Sequence, residues 1–167
     1  MPYASPAPAL SALSPVPADL RSRGVALART AIRRLGSLAP AIDLGVRLLV
    51  ASVFFKSGLT KIANWDSTLA LFANEYAVPL LSPDLAAWLG TGVELFFPVL
   101  LGLGLGARLS ALVLFMFNVI AVVSYPDLGE VGLRDHQTWG LLLLIVLLHG
   151  PGKLSLDHLI GRRFAVR

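Results

Sequence analysis

Four long apolar stretches constrain the fold of this chain more than any other feature. They cover roughly residues 42–62, 84–105, 107–125 and 137–149. A membrane-spanning helix needs about 20 mostly apolar residues, because the hydrocarbon core is about 30 Å thick and a helix rises about 1.5 Å per residue. The fourth stretch is short, so we expect its helix to start near His136. The stretches do not alternate as barrel strands would, so they predict an all-α bundle of four transmembrane helices.

The composition of the chain supports a membrane location. Of 167 residues, 56% are hydrophobic and only 14% are charged, and the mean hydropathy is +0.74. A soluble domain carries about 25% charged residues, so a soluble monomer is excluded and the lipid bilayer is the predicted partner. The chain has no cysteine. Disulfides, thiol chemistry and cysteine-ligated zinc or iron–sulfur sites are therefore excluded.

Three segments are predicted along the chain. Residues 1–39 are rich in proline and alanine and then basic, which predicts a disordered stretch followed by a basic helix over 21–34 on the membrane surface. Residues 40–152 form the four-helix membrane domain. Residues 153–167 form a basic tail with a short amphipathic helix, capped by Ser155.

The distribution of basic residues predicts the topology. Lysine and arginine near transmembrane segments favour the cytoplasmic side. Most of them precede the first span, join the second to the third, or follow the fourth, whereas the other loops hold mainly acidic residues. We therefore expect a multi-pass protein of the bacterial cytoplasmic (inner) membrane with both termini in the cytoplasm. The net charge of +4 is a topology signal and does not predict a nucleic-acid partner.

The two loops on the predicted outer side differ. Residues 64–83 include several apolar positions, which predict a helix lying in the outer interface. Residues 126–137 contain two glycines and are predicted to form an irregular loop.

Glu94 is the strongest candidate for a functional residue. It lies near the middle of the second span, where a charge costs roughly 2.5–3.5 kcal/mol on insertion scales. Pro98 cannot donate a hydrogen bond to the carbonyl of Glu94, so a carboxyl and a free carbonyl share one depth. This pair could hold a cation, a proton or a substrate amine. The alternative is a neutral, structural Glu94 bonded to a neighbouring helix.

Arg47 and Asn118 belong to this candidate site with Glu94 and Pro98, whereas Lys61 is placed outside it. Arg47 could pair with Asp43, four residues earlier, or reach Glu94, or extend to the lipid headgroups. Lys61 lies near the outer end of the first span and is expected to extend outward to water. Asn118 is central in the third span, and its amide is expected to bond across helices.

The sequence offers one candidate for a metal site. His136 and Asp135 lie beside other acidic residues and form a weak candidate, for which a solvated acidic loop is the alternative. His136 and His149 lie thirteen residues apart, about 20 Å along a helix, so they cannot share one haem iron.

The order of these motifs over residues 41–160 resembles the DoxX family of small four-helix bacterial membrane proteins. The first span resembles the family pattern R-L-L…F-x-x-G-x-x-K, the next two resemble E…L-G-L…R, and the end resembles G-P-G-x-x-S-x-D. The residues that carry the resemblance are Arg47, Gly58, Lys61, Glu94, Arg108, Gly150, Pro151, Gly152, Ser155 and Asp157.

The resemblance implies a role in the cytoplasmic membrane, and three functions follow as hypotheses. The first is a non-catalytic subunit that anchors a redox or stress-response complex. The second is a quinone-linked oxidoreductase subunit, in which Glu94 handles protons and Arg47 or Asn118 binds the quinone head. The third is a small transporter built around Glu94, acting as a homo-oligomer. Quinone is the only cofactor that these hypotheses include. A water-accessible cavity that reaches Glu94 would favour the second and third.

Overall fold

The computed structural model describes residues 18–165, and every regular element in that range is a helix. The predicted proline-rich disordered segment falls largely on residues 1–17, outside the described residues. The six helices are α1 Ala18–Ala63, α2 Trp65–Asn74, α3 Pro83–Leu103, α4 Ala107–Ser124, α5 Gly129–His149 and α6 Leu156–Ala165. The predicted all-α fold is confirmed, including a helix in the first loop and a short helix near the C-terminus.

The chain divides into two units, Met1–Ser37 and Leu38–Arg167, with the boundary inside α1. In the first unit, the described residues are helical, which includes the segment over 21–34 that the sequence predicted as a basic helix. Its described apolar side chains, among them Leu27 and Ile32, are exposed. The second unit contains the rest of α1 and all the other helices.

Four of the described helices are long and apolar enough to cross a membrane. These segments are Val25–Ala63, Pro83–Leu103, Ala107–Ser124 and Gly129–His149. Their outward-facing apolar side chains are exposed, as Val123 and Leu148 illustrate. Lipid tails cover such surfaces in a bilayer, so the multi-pass membrane prediction is confirmed.

Local sequence signals set the ends of α3 and α4. Ser82 caps the start of α3, and Pro83 follows in the first turn, where its missing N–H costs nothing. Gly104 ends α3 in the left-handed conformation, with φ of 70°. Gly106 adopts φ of 56° immediately before α4. Only glycine enters this region without a steric cost, so the two glycines make the short α3–α4 turn feasible.

The prediction of an irregular loop over residues 126–137 is wrong for most of its length. Helix α5 begins at Gly129 and continues to His149. Glu130 and Arg134 lie one turn apart on it and form an exposed ion pair at 3.7 Å. A polar first stretch extends this helix beyond its apolar part, and a criterion based on apolar length does not detect it.

The core of the second unit lies between α1, α3, α4 and α5. Phe54 of α1 is buried there and makes edge contacts with the rings of Phe117 and Trp139. Leu101, Leu114 and Leu143 contribute from the other three helices. A smaller apolar cluster joins Phe72 of α2 to the start of α3. The candidate site lies between these two clusters, where α1, α3 and the α2–α3 loop meet.

Candidate functional site

Gly58 allows α1 and α3 to approach each other closely at the level of Glu94. A Cβ atom on Gly58 would lie 2.9 Å from the side chain of Leu95 and 3.1 Å from the Cβ atom of Glu94. A larger residue at this position would require the Leu95 side chain to shift. Lys61 follows three residues later, about one helical turn along the same face of α1, so its side chain faces α3 as well.

The buried Glu94 carboxylate is held by two partly buried polar side chains, Lys61 and Ser57. Lys61 Nζ donates to both Glu94 oxygens, at 2.6 Å to Oε2 and 2.8 Å to Oε1. The Ser57 hydroxyl donates to Oε1 at 3.0 Å and accepts from Lys61 Nζ at 3.0 Å. The Lys61 side chain is 13% exposed and that of Glu94 is 6% exposed. The expectation that Lys61 extends outward to water is therefore wrong, because the buried Glu94 carboxylate on α3 provides a partner for its charge.

A cavity of about 460 Å³ lies beside this ion pair. Its polar lining consists of Glu94, Lys61, Tyr76 and Ser124, the last residue of α4. The other lining side chains are apolar or glycine and come from α2, the α2–α3 loop, α3 and α4. Such a cavity suits a molecule that is mainly apolar and carries a polar group at one end.

Tyr76 gives the cavity a hydroxyl group. Its residue lies in the α2–α3 loop, outside the membrane-spanning helices, and its ring stacks against Phe72 and Tyr125. Burial raises the pKa of the Tyr76 hydroxyl, and the negative charge of Glu94 raises it further. Tyr76 therefore keeps its proton at neutral pH and can donate it in a hydrogen bond.

A second, polar cleft shares part of its lining with the cavity. It has a volume of about 430 Å³. Lys61 and Tyr76 line both this cleft and the apolar cavity. The remaining polar lining comes from the end of α1 and the start of α2: Ser57, Thr60, Asn64, Ser67 and Thr68.

Arg47 is not part of this site. Its guanidinium is buried and donates to the carbonyls of Leu101 and Gly102, at 3.2 and 3.1 Å, and to the carbonyl of Leu154. Within residues 18–165, no ion pair joins Arg47 to Asp43 or Glu94. The predictions that Arg47 pairs with a carboxylate or extends to the headgroups are wrong. The carbonyls at the end of α3, which helix geometry leaves with few backbone donors, take that place.

The residues after α5 close the same end of the bundle. Asp157 accepts from the backbone N–H groups of Gly106 and Ala107, at 2.8 and 3.0 Å, and so caps α4 from 50 residues away. Ser155 accepts from the N–H of His158 at 3.2 Å, as a cap of α6 does. A Cβ atom on Gly104 would collide with Arg47 and Ser155.

The glycines of the G-P-G segment fit between charged side chains. A Cβ atom on Gly150 would lie 3.2 Å from the Arg108 guanidinium, and one on Gly152 would lie 2.7 Å from Asp43. Pro151, between them, is half-buried. Gly150 and Gly152 both have positive φ, which no L-residue adopts without strain.

Asn118 lies elsewhere in the bundle and joins α4 to α5. Its amide donates to the backbone carbonyl of His136 at 2.9 Å, and its oxygen lies 2.8 Å from His136 Nδ1. The predicted hydrogen bond across helices is thus present. His136 is engaged by this bond, and Asp135 is exposed. Residues 18–165 contain no group of three metal-ligating side chains. Pro98 is buried four residues beyond Glu94 and lines neither cavity.

Sequence reasoning found Glu94 but missed the residues that surround it. Ser57, Lys61 and Tyr76 were not assigned to it. The spacing Ser57, Gly58, Lys61 was the available signal, because a glycine beside a polar residue on an apolar helix marks a face that contacts another helix.

Comparison with known proteins identifies the family of this chain and one relative. The sequence model of the DoxX family matches residues 42–126, from α1 to just beyond α4. An uncharacterized protein of Haemophilus influenzae is 33% identical over 129 residues, which cover 73% of this chain and 85% of the relative. No solved structure matches the chain. The match covers half of the sequence and includes Arg47, Gly58, Lys61 and Glu94, so the chain belongs to the DoxX family.

Proposed function

We propose that the chain is the quinone-binding membrane subunit of an oxidoreductase complex. The observation that carries this proposal is the buried Lys61–Glu94 pair on the wall of an otherwise apolar cavity. A quinone combines an apolar ring and tail with polar oxygens at the head. Tyr76 offers a hydrogen-bond donor and Lys61 a positive charge to such oxygens, and Glu94 offers an acceptor to the hydroxyl of a quinol.

The size and composition of the cavity fit this class of ligand. Small-molecule sites have volumes of about 300–1,000 Å³, and the cavity has about 460 Å³. Leu112, Met116 and Ile120 of α4 line it and are also exposed on the surface that faces lipid. A lipid-soluble ligand could therefore enter from the bilayer, between α3 and α4, without crossing water.

A subunit role follows from what the chain can supply. A quinone exchanges electrons as well as protons, and the side chains at the site offer proton chemistry. The sequence has no cysteine for thiol redox chemistry. We therefore assign electron transfer to a protein partner, which the chain would hold at the membrane.

We further propose that the protein lies in the cytoplasmic membrane with both termini inside. Under this orientation, the basic residues Arg108 and Lys153 lie on the cytoplasmic side, together with the α3–α4 turn. The Lys61–Glu94 site lies near the C-terminal end of α1, so under this orientation it lies toward the outer face of the membrane. Single cysteines introduced into this cysteine-free chain and labelled from one side of the membrane would test the orientation.

The binding proposal can be tested with decylubiquinone and the full chain in lipid nanodiscs. Ala121→Phe adds a ring to the cavity wall, and Val123→Phe adds one to the exposed face of the same helix. We expect Ala121→Phe to weaken binding by about tenfold or more and Val123→Phe to leave it unchanged. Absence of binding to the unaltered chain, or equal binding by both variants, would refute the proposal.

Two other hypotheses predict different results in related measurements. A purely anchoring subunit would bind its protein partner but not the quinone. A transporter would carry a solute across proteoliposomes, and Glu94→Gln would stop that flux.

A further inference from the structure

The apolar cavity and the polar cleft meet at the Lys61–Glu94 pair. Lys61 lines both spaces, Glu94 lines the cavity, and Ser57 lines the cleft. The rim of the cleft is formed by Thr60, Asn64 and Ser67, all of which are exposed. Water can therefore reach Ser57 from one side while a ligand in the cavity reaches Glu94 from the other.

Ser57 connects these two spaces through hydrogen bonds. Its hydroxyl donates to Glu94 Oε1 at 3.0 Å. A hydroxyl can accept one proton while it releases another, so it can pass a proton between Glu94 and water in the cleft. Lys61 donates to both Ser57 and Glu94 and fixes their geometry. Its positive charge compensates the carboxylate whenever Glu94 is ionised.

We propose that Ser57, Lys61 and Glu94 form a proton bridge through which a ligand hydroxyl in the cavity exchanges its proton with water in the cleft. The inference rests on the proposed function and adds the route of the proton. On release, the O–H bond of the ligand breaks and a bond to a Glu94 oxygen forms. The proton of Glu94 then passes to Ser57 Oγ, whose own proton passes to cleft water. Lys61 remains an ammonium throughout, so the step ends with the ligand as an anion beside Lys61, Glu94 again a carboxylate and the proton on water in the cleft.

The titratable side chains that line the cavity come from three elements. Lys61 comes from α1, Glu94 from α3, and Tyr76 from the α2–α3 loop, and these line the cavity. Tyr76 keeps its proton at neutral pH, so it can orient the ligand but does not take its proton. From α4, the lining of the cavity is apolar apart from the Ser124 hydroxyl. Glu94 is thus the acceptor available to a ligand in the cavity.

The first test measures protons taken up on binding. A 2-hydroxy-3-alkyl-1,4-naphthoquinone has an apolar tail and a hydroxyl that is ionised at neutral pH. To place its anion beside Lys61, Glu94 must become neutral, so we expect uptake of about one proton per ligand bound. Calorimetry of the full chain in nanodiscs, in buffers of different ionisation enthalpy, gives this number. Glu94→Gln is already neutral, so it should bind the probe with uptake near zero. Glu130→Gln, an exposed carboxylate, should behave as the unaltered chain does.

The second test closes the cleft in the folded protein. Ser67→Cys places a unique thiol at the rim, which N-benzylmaleimide can modify after reconstitution. We expect labelling to slow proton uptake, followed with a pH dye in stopped flow, by about tenfold or more while probe affinity is unchanged. Labelled Gln137→Cys, an exposed position on α5 outside both spaces, should show no slowing.

The outcomes separate this inference from the proposed function. If neither decylubiquinone nor the naphthoquinone binds the unaltered chain, the proposed function fails. If the probe binds but no proton is taken up, or if Glu94→Gln retains the uptake, the proton bridge fails while the binding site stands. If labelled Ser67→Cys takes up protons as fast as the unlabelled variant, the route through the cleft is wrong.

Discussion

Each end of the bundle contains one basic side chain of α1, and the two side chains have opposite roles. Arg47 and Lys61 lie fourteen residues apart on α1, about 21 Å along the axis. Arg47 donates to three backbone carbonyls in a closely packed junction of α3 and the C-terminal segment. Lys61 pairs with a carboxylate beside two open spaces. A charge that completes the backbone holds the fold, whereas a charge that pairs with a titratable group beside a cavity is available for chemistry.

The largest effect is expected when Arg47 is replaced. Arg47→Leu removes the guanidinium that joins the carbonyls of Leu101, Gly102 and Leu154, and each hydrogen bond to a charged donor contributes about 1.5–3 kcal/mol. We expect a loss of about 3 kcal/mol or more in the free energy of unfolding, measured by denaturing-detergent titration. Arg134→Leu, at an exposed ion pair, should change it by less than about 0.5 kcal/mol. Equal stability of the two variants would contradict the comparison.

The glycines near these basic residues should follow the same order. Substitution of Gly104, beside Arg47, should destabilise the fold more than substitution of Gly58, one turn from Lys61. Gly104→Ala meets both a positive φ and a collision with Arg47 and Ser155, so we expect it to cost about 2–3 kcal/mol. Gly58→Ala mainly meets the end of the flexible Leu95 side chain and should cost about 1 kcal/mol. Thermal unfolding of both variants in detergent gives the order. A larger loss at Gly58 would mean that the Lys61 end is the more rigid one.

Removal of the long-range cap of α4 should have a smaller effect. Asp157→Ala leaves two N–H groups of the first turn without acceptors and should cost about 1–2 kcal/mol. Asp157→Asn keeps one acceptor oxygen and should lose less. Asp135→Ala, at an exposed position, serves as the control in the same unfolding titration. An effect of Asp157→Ala no larger than that control would show that water replaces the cap.

The smallest effect is expected for the double variant Lys61→Met with Glu94→Leu. Replacement of a whole buried ion pair by apolar side chains is often neutral or stabilising, because the desolvation of both charges is avoided. We expect the free energy of unfolding to change by less than about 1 kcal/mol, while proton uptake with the naphthoquinone is lost. A large loss of stability would mean that the Lys61 end is structural like the Arg47 end.

The sequence was sufficient for the fold because its signals are local. Apolar length located α3 and α4 within about two residues. It was less informative where a helix is polar. The first part of α5 lies outside the apolar stretch and was predicted as loop.

The candidate site was predicted only in part, because spacing along one helix does not give its depth against another. Glu94 was found from the cost of a charge at mid-span. The sequence does not give the offset of α1 against α3, so it does not show whether Arg47 or Lys61 lies at the depth of Glu94. That offset is set by the contact of Gly58 with Leu95, which involves residues 37 positions apart. Ser57 and Tyr76 depend on the same contact and on the path of a loop.

The cap that Asp157 places on α4 also sets an order of events during synthesis. The N–H groups of Gly106 and Ala107 emerge from the ribosome about 50 residues before their acceptor. Helix α4 must therefore enter the membrane with an open first turn, which closes when the end of the chain is translated. A nascent chain stalled before Asp157 would therefore carry all four spans but lack the side chain that accepts from the first N–H groups of α4.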